Sequence, residues 1–119
     1  RIGILSTEAT LNTKIYHKYF QKSFDLLSPS KILQKSSVNK SIKFVKMGKI
    51  REAEKAIRPA VNYLIKINCK KIILGCTELP IAIFAYKSFK KIKQSKVFVD
   101  PNLLLANVSM KKYKKLKKQ

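Results

Sequence analysis

The chain has 119 residues, of which 45% are hydrophobic, so it suits one small globular domain and is not the composition of a disordered chain. Its two cysteines and single histidine exclude a disulfide scaffold and a metal-ligand cluster, and they fit a reducing cytoplasm. No apolar run approaches the roughly 20 residues of a membrane span. The first residue, Arg1, is not a methionine and opens an apolar run, which indicates a segment of a longer protein.

The charge is extreme, with 27 Lys and Arg against 6 Asp and Glu and a net charge of +21. One interpretation is a site for nucleic acid or another polyanion. The other is compositional drift, which is favoured because only Arg1, Arg51 and Arg58 are arginines and the lysines are scattered among many Ile and Asn residues with AT-rich codons. In either case we expect non-specific attraction to polyanions at low salt.

Short apolar runs alternate with helical patterns in the first third of the chain. Residues 1–5 predict a buried strand, followed by a polar loop over 6–10. Apolar residues at helical spacing predict a helix over 11–24, and residues 25–27 predict a second short strand. Residues 31–37 are interpreted as a loop or a single turn.

The same alternation continues to the end of the chain. Helices are predicted over 38–47, 51–67 and about 101–116, and strands over 71–74 and 96–99. Pro59 lies inside the second of these helices, where we expect a kink or a break. Asp100 and Pro101 are typical of an N-cap followed by the first helical residue. We expect one lobe with a closing helix over 1–109 and a fraying, lysine-rich tail over 110–119.

This order of elements predicts an α/β fold with a four-stranded parallel sheet flanked by helices. Ligands of such sheets bind beyond the carboxyl ends of the strands. The loops over 6–10 and 75–78, together with Asp100, are expected at that edge.

The segment whose residues point to a catalytic role is Ile-Ile-Leu-Gly-Cys-Thr-Glu-Leu-Pro, residues 72–80. Gly75 permits a tight turn after the strand, and Cys76 is expected where the next helix begins. Unpaired N–H groups there favour a thiolate, which acts as a nucleophile or a proton-transfer base, and Thr77 adds a hydroxyl. The alternative is that Cys76 is only a small buried hydrophobe.

The string GCTELP after an apolar strand resembles the second catalytic motif of the aspartate/glutamate racemase family. Three further strings, ILSTEAT, FVKMGKIREA and FVDP, resemble other motifs of that family, and all four stand in the family's order over nearly the whole chain. Glu78 resembles the aspartate-racemase branch, because glutamate racemases usually carry histidine there.

This resemblance implies two lobes that face each other across a cleft and contribute one cysteine each, with no pyridoxal phosphate and no metal. One thiolate removes the α-proton of an amino acid, and the other thiol protonates the opposite face. The resemblance assigns the role of proton donor and acceptor to Cys76, and contacts with substrate carboxylates to Thr77 and Lys46. It places the hydroxyls of Thr7 and Thr10 at the edge of the cleft, and Glu78 is one further candidate.

Two departures from the family pattern stand out. Ala9 replaces a glycine, which would strain the loop if that residue needs a positive φ. The whole first lobe, with its cysteine, has no counterpart in these residues. Cys69 cannot replace that cysteine, because it lies about 20 Å from Cys76 along an extended chain. We interpret Cys69 as core filler.

Three hypotheses follow. The first is the C-terminal portion of a cofactor-independent amino-acid racemase that prefers aspartate to glutamate, with the missing first lobe as a partner and a homodimer as a further candidate assembly. Alone, this chain is expected not to racemise at an appreciable rate. The second is an inactive racemase remnant. The third is a polyanion-binding module that uses the lysines of residues 111–119.

Overall fold

Four short parallel strands form the centre of the computed structural model, which describes residues 1–20, 24–86, 89, 91 and 96–118. The strands are β1 (Ile2–Leu5), β2 (Leu26–Leu27), β3 (Lys71–Leu74) and β4 (Phe98–Val99). They pair in the order β2-β1-β3-β4, with Leu5 beside Leu74. The predicted four-stranded parallel sheet is therefore confirmed.

Helices follow each strand. Their bounds are α1 (Glu8–Thr13), α2 (Ile15–Phe20), α3 (Lys31–Leu33), α4 (Lys40–Lys46), α5 (Ile50–Lys66), α6 (Glu78–Phe84) and α7 (Pro101–Lys117). Of these helices, α4, α5 and α6 form the core with the sheet. A π-helical turn, Gln34–Asn39, joins α3 to α4. Helices α4 and α5 end within one residue of the predicted ends, and Gly48 and Asn68 just beyond them adopt the left-handed conformation with φ of 74° and 68°.

The prediction of one helix over residues 11–24 is wrong in two respects. The helix begins earlier, at Glu8, because the Thr7 side chain accepts a hydrogen bond from the Thr10 N–H and caps it. It is also divided in two at Lys14, which has a left-handed φ of 53°. Residues 21–23 lie outside the described residues, and Phe24 is not helical.

The prediction of a loop or a single turn over residues 31–37 is also wrong, because the segment is helical throughout. The Ser30 hydroxyl accepts a hydrogen bond from the Leu33 N–H, so a helix begins at Lys31 and continues through the π-helical turn. The wider turn changes the helical spacing, which hides the apolar face from a search for a period of 3.6 residues. Gln34, Ser37 and Val38 are buried in this turn.

Helix α5 continues through Pro59 without the break that the sequence had allowed. The hydroxyl of Ser37 donates a hydrogen bond to the carbonyl of Ala56 and accepts one from the N–H of Ala60 at 3.2 Å. A proline removes one donor and crowds the preceding turn, and Ser37 supplies hydrogen bonds at that point from a neighbouring helix. The π-helical turn therefore supports the interior of α5.

The core lies between the sheet and helices α4, α5 and α6. Cys69 is 5% exposed and belongs to this core, as predicted. A methyl group added to Gly3 would lie 2.8 Å from Leu64 Cδ1, so α5 packs directly on β1. Fully buried core residues include Leu5, Ile57, Val61, Leu64, Ile72, Leu79 and Ile83.

Helix α7 begins as predicted, since Asp100 accepts the Asn102 N–H at 3.0 Å and Pro101 occupies the first helical position. It runs without interruption to Lys117, and fraying of the tail from Met110 stays a prediction. Its side chains contribute nothing to the core. No helix in the described ranges has the length and apolar character needed to cross a membrane.

Candidate active site

The candidate site lies where β1 and β3 end side by side. The Gly75 N–H donates a hydrogen bond to the Leu5 carbonyl at 2.8 Å. A methyl group on Gly75 would lie 3.1 Å from Ser6 Cβ and 3.2 Å from a ring carbon of Tyr16. Gly75 does not have a positive φ, so the need for glycine comes from this close approach and not from the turn conformation that we predicted.

Cys76, Thr77 and Glu78 form one hydrogen-bonded cluster directly after β3. The Cys76 thiol donates to Glu78 Oε2 at 2.7 Å, and the Thr77 hydroxyl donates to the same oxygen at 3.0 Å. Cys76 is partly buried, whereas Thr77 is exposed at the start of α6. The carboxylate of Glu78 therefore orients both side chains.

The pKa of the Cys76 thiol is raised to about 11, which corrects our expectation of a thiolate at a helix N-terminus. Burial is the largest cause, and the hydrogen bond to Glu78 is the second. Hydrogen bonds from the backbone N–H groups of Glu78 and Leu79 act in the opposite direction, as we had expected, but they do not prevail. Cys76 consequently carries its proton at neutral pH.

The pKa of Glu78 shifts in the opposite direction and is lowered. The hydrogen bond from the Cys76 thiol is the main reason that the pKa of Glu78 is lowered, and the positive charge of Lys46 lowers it further. Lys46 lies in the last turn of α4 and is exposed. The fold thus brings Lys46, which is 30 residues earlier in the chain, into the electrostatic environment of this cluster.

Thr7 and Thr10 lie at the start of α1, which follows β1, with Thr7 as the N-cap and Thr10 inside the helix. Their hydroxyls share a hydrogen bond of 3.0 Å with each other, which holds the start of α1. Thr10 and Gly75 line one cavity of about 410 Å³ that lies beside the Cys76 cluster. Ala9 lies in the first turn of α1, so the expected strain from a positive φ does not arise.

Tyr16 and Tyr19 line the same cavity and were missed as site residues. The sequence suggested only that they belong to an apolar helix face. Their position follows from the left-handed Lys14, which turns α2 away from α1. Two tyrosines directly after a polar loop at a sheet edge were the available signal.

Two further observations bound the chemistry of this site. Cys69 is buried at the opposite end of β3, so it does not belong to the cluster around Cys76. Across the residues that the structure describes, no group of three or more His, Cys, Asp and Glu side chains could hold a metal ion.

Comparisons with known proteins identify the family of the chain. The Asp/Glu/hydantoin racemase family model matches residues 1–108. The chain is 29% identical over 117 residues to the glutamate racemase of Carboxydothermus hydrogenoformans, covering 98% of this chain and 41% of that protein. It is 36% identical over 84 residues to an uncharacterised protein in the pnlA 3′ region of Pectobacterium carotovorum, covering 70% of this chain and 55% of that protein.

The structure is also similar to that of Picrophilus torridus aspartate racemase, with a TM-score of 0.65 and 27% sequence identity. The match covers 83% of this chain and 38% of that one. With the family model matching most of its length, the chain belongs to the Asp/Glu/hydantoin racemase family. It spans about half the length, or less, of the relatives that it matches.

Proposed function

We propose that this chain is the second lobe of a cofactor-independent amino-acid racemase, in which Cys76 exchanges a proton with the α-carbon of the substrate. The observation that carries the proposal is the protonated Cys76 thiol, held 2.7 Å from Glu78 at the carboxyl edge of the sheet. An amino-acid racemase needs a side chain that transfers protons, and in a parallel sheet substrates bind at this edge.

The direction of proton transfer follows from the resting state of the thiol. Because the pKa of Cys76 is about 11, its S–H bond is intact at neutral pH and the group is ready to act as an acid. A base on the opposite face of the substrate breaks the original α-C–H bond, and the S–H bond of Cys76 breaks as a new C–H bond forms on the other face of the α-carbon. The thiolate left on Cys76 accepts hydrogen bonds from the Glu78 and Leu79 N–H groups. In the reverse direction this thiolate removes the α-proton of the other enantiomer, and the protonated group on the opposite face returns a proton to the carbon.

Substrate binding requires groups that attract carboxylates. The candidates are the exposed hydroxyl of Thr77 and the ammonium group of Lys46, whose charge acts on Glu78. Thr7 and Thr10 add hydroxyls at the start of α1. Positive charge near the reacting carbon also stabilises the negative charge that develops when its proton leaves. We propose aspartate as the preferred substrate, since Glu78 resembles the aspartate-racemase branch and an aspartate racemase is structurally similar.

Inversion at carbon needs an acid and a base on opposite faces of the substrate. The cluster supplies one group, and Cys69 is too deeply buried to supply the second. We therefore propose that a first lobe, on this or another polypeptide, supplies the second group. Leu103, Leu104 and Leu105 at the start of α7 are all exposed, and this supports such a partner, because neighbouring exposed apolar side chains are typical of a surface that another protein covers.

The test is exchange and racemisation of L-aspartate, followed by proton NMR in deuterated water and by a chiral assay. The 119-residue chain alone should show no appreciable racemisation. Addition of the separately expressed first lobe of a related aspartate racemase should restore it. Cys76→Ser should then reduce turnover by at least about 10²-fold, the typical cost of losing a positioned proton-transfer group. Cys69→Ala is the matched control and should retain turnover.

Three outcomes contradict parts of the proposal. Full activity of Cys76→Ser would remove Cys76 from the mechanism. Robust racemisation by the chain alone would remove the need for a first lobe, and if it required self-association it would indicate a homodimer. A folded chain that exchanges no α-proton in any combination would identify an inactive remnant.

A further inference from the structure

We propose that Tyr16 is a positioning residue for Cys76, because its ring holds the backbone of Gly75 at the end of β1 and so fixes where the following cysteine lies. The proposal rests on the proposed function, since it concerns the proton-transfer group of that site. Tyr16 acts on the backbone of the site and not on the substrate, which distinguishes it from Thr77 and Lys46.

Tyr16 reaches the edge of the sheet from the first turn of α2. The direction of α2 is determined by Lys14, which has a left-handed φ of 53°. The Lys14 carbonyl accepts a hydrogen bond from the Lys18 N–H at 2.9 Å, so α2 begins directly at this bend. Ile15 and Tyr19 are exposed, whereas Tyr16 is half-buried. Tyr16 is therefore a side chain with which α2 contacts the rest of the fold.

Two separate elements meet beside Gly75. A methyl group on Gly75 would lie 3.1 Å from Ser6 Cβ and 3.4 Å from the Leu5 carbonyl oxygen, at the end of β1. The same methyl group would lie 3.2 Å from Cε2 of Tyr16, which belongs to α2. The space between Gly75 and the ring is thus too small for a methyl group. Tyr16 occupies the space into which Gly75 would otherwise move.

The position of Gly75 determines the position of Cys76. The peptide unit that joins them is planar, so a displacement of Gly75 moves the cysteine as well. Two hydrogen bonds depend on the present arrangement. The Gly75 N–H donates to the Leu5 carbonyl at 2.8 Å, and the Cys76 thiol donates to Glu78 at 2.7 Å. Loss of the Tyr16 ring should loosen both.

The contact uses the ring of Tyr16 and not its hydroxyl group. The atom nearest to Gly75 is the ring carbon Cε2, which phenylalanine also has. Tyr19 lines the same cavity but is 79% exposed, and its atoms are not among the three nearest to a methyl group on Gly75. The chain therefore offers a conservative variant, Tyr16→Phe, and a matched control, Tyr19→Ala.

Exchange of backbone amide hydrogens in deuterated water, followed by NMR on the 119-residue chain, tests this role. Tyr16→Ala should raise the exchange rate of the Gly75 N–H at least about tenfold, because the turn opens more often. The Ile72 N–H donates to the Val97 carbonyl at 2.9 Å and is the reference in the same strand. Its exchange rate should change by less than about twofold.

Alkylation of Cys76 by iodoacetamide at pH 8 is the second measurement. Burial is the largest cause of the raised pKa of Cys76, so a looser turn lowers that pKa and admits the reagent. Tyr16→Ala should raise the alkylation rate at least about threefold. Tyr16→Phe and Tyr19→Ala should leave both measurements as in the parent. If Tyr16→Ala does not fold, Tyr16→Leu takes its place and should change both in the same direction.

The proposal is overturned if the exchange rate of the Gly75 N–H does not change in Tyr16→Ala, or if Tyr19→Ala has an equal effect. Parallel increases at Gly75 and Ile72 would also overturn it, because Tyr16 would then contribute only to general stability. If Tyr16→Phe behaved as Tyr16→Ala does, the hydroxyl and not the ring contact would be responsible. Neither measurement needs turnover, so both are independent of whether Cys76 takes part in racemisation.

Discussion

Replacement of Glu78 by glutamine should make Cys76 more reactive, although a simpler view of Glu78 as an activating base predicts the reverse. The carboxylate accepts the thiol proton in a hydrogen bond of 2.7 Å and helps to raise the pKa of Cys76 to about 11. Glutamine has a similar shape but no charge, so a thiolate beside it is repelled less. The backbone N–H groups that favour the thiolate remain in place.

The size of the effect is limited by burial. At pH 8 a thiol with a pKa of about 11 is roughly 0.1% ionised, against roughly 10% for an unshifted thiol. Burial is the largest cause of the shift and persists in the variant. We therefore expect Glu78→Gln to increase the alkylation rate of Cys76 by about three- to tenfold, which is part of that hundredfold range.

The assay is alkylation by iodoacetamide between pH 7 and 9.5, with each cysteine quantified by mass spectrometry. Cys69 is the internal reference, and it should react more slowly than Cys76 because it is only 5% exposed and the reagent has little access to it. Glu52→Gln removes a carboxylate on the exposed side of α5 and should change neither rate. An unchanged or slower rate for Cys76 in Glu78→Gln, at an unchanged melting temperature, would refute the reasoning.

Three further predictions concern stability and charge. Ser37→Ala should lower the free energy of unfolding, measured in urea, by about 1–3 kcal/mol, because two backbone groups of α5 lose a partner. Ser36→Ala is the exposed control, and an equal or smaller loss of stability in Ser37→Ala than in this control would contradict the prediction. The free energy of unfolding should fall as the pH rises from 9 to 11, because Cys76 keeps its proton in the folded chain and has released it in the unfolded chain. Cys76→Ser should lose less stability over this range. Parallel curves of stability against pH for the two proteins would count against the raised pKa of Cys76. Heparin should bind at low salt with a steep salt dependence, and equal binding after deletion of residues 111–119 would show that the charge of the whole chain, and not the tail, is responsible.

Much of the fold could be predicted from the sequence because its signals are local. Strand β3 is a run of four residues ending at a glycine, and Asp100 with Pro101 supplies the cap and first turn of α7 within a few residues. Alternating strands and helices along the chain then predict a parallel sheet. The position of Cys76 just beyond β3 follows from the same local pattern, and so does the resemblance to the racemase family.

The errors occurred where contacts are distant in sequence. Residues 31–37 were interpreted as a loop or a single turn because the groups that hold them lie elsewhere, since Ser37 bonds to α5 and Gln34 bonds to the carbonyl of Ser6. Pro59 does not break α5, and Ser37 provides hydrogen bonds to the two residues Ala56 and Ala60 that flank this point. No search along a single helix can detect a partner contributed by another helix.

The chemical state of the site was likewise decided by tertiary structure. The sequence by itself determined that a cysteine follows a buried strand at the start of a helix, which favours a thiolate through the backbone N–H groups. Packing around Cys76 and the orientation of Glu78 reverse that preference and raise the pKa of the thiol. Burial depends on which elements cover a side chain, and that is settled only when residues far apart in the chain, such as Lys46 and Glu78, are brought together by the fold.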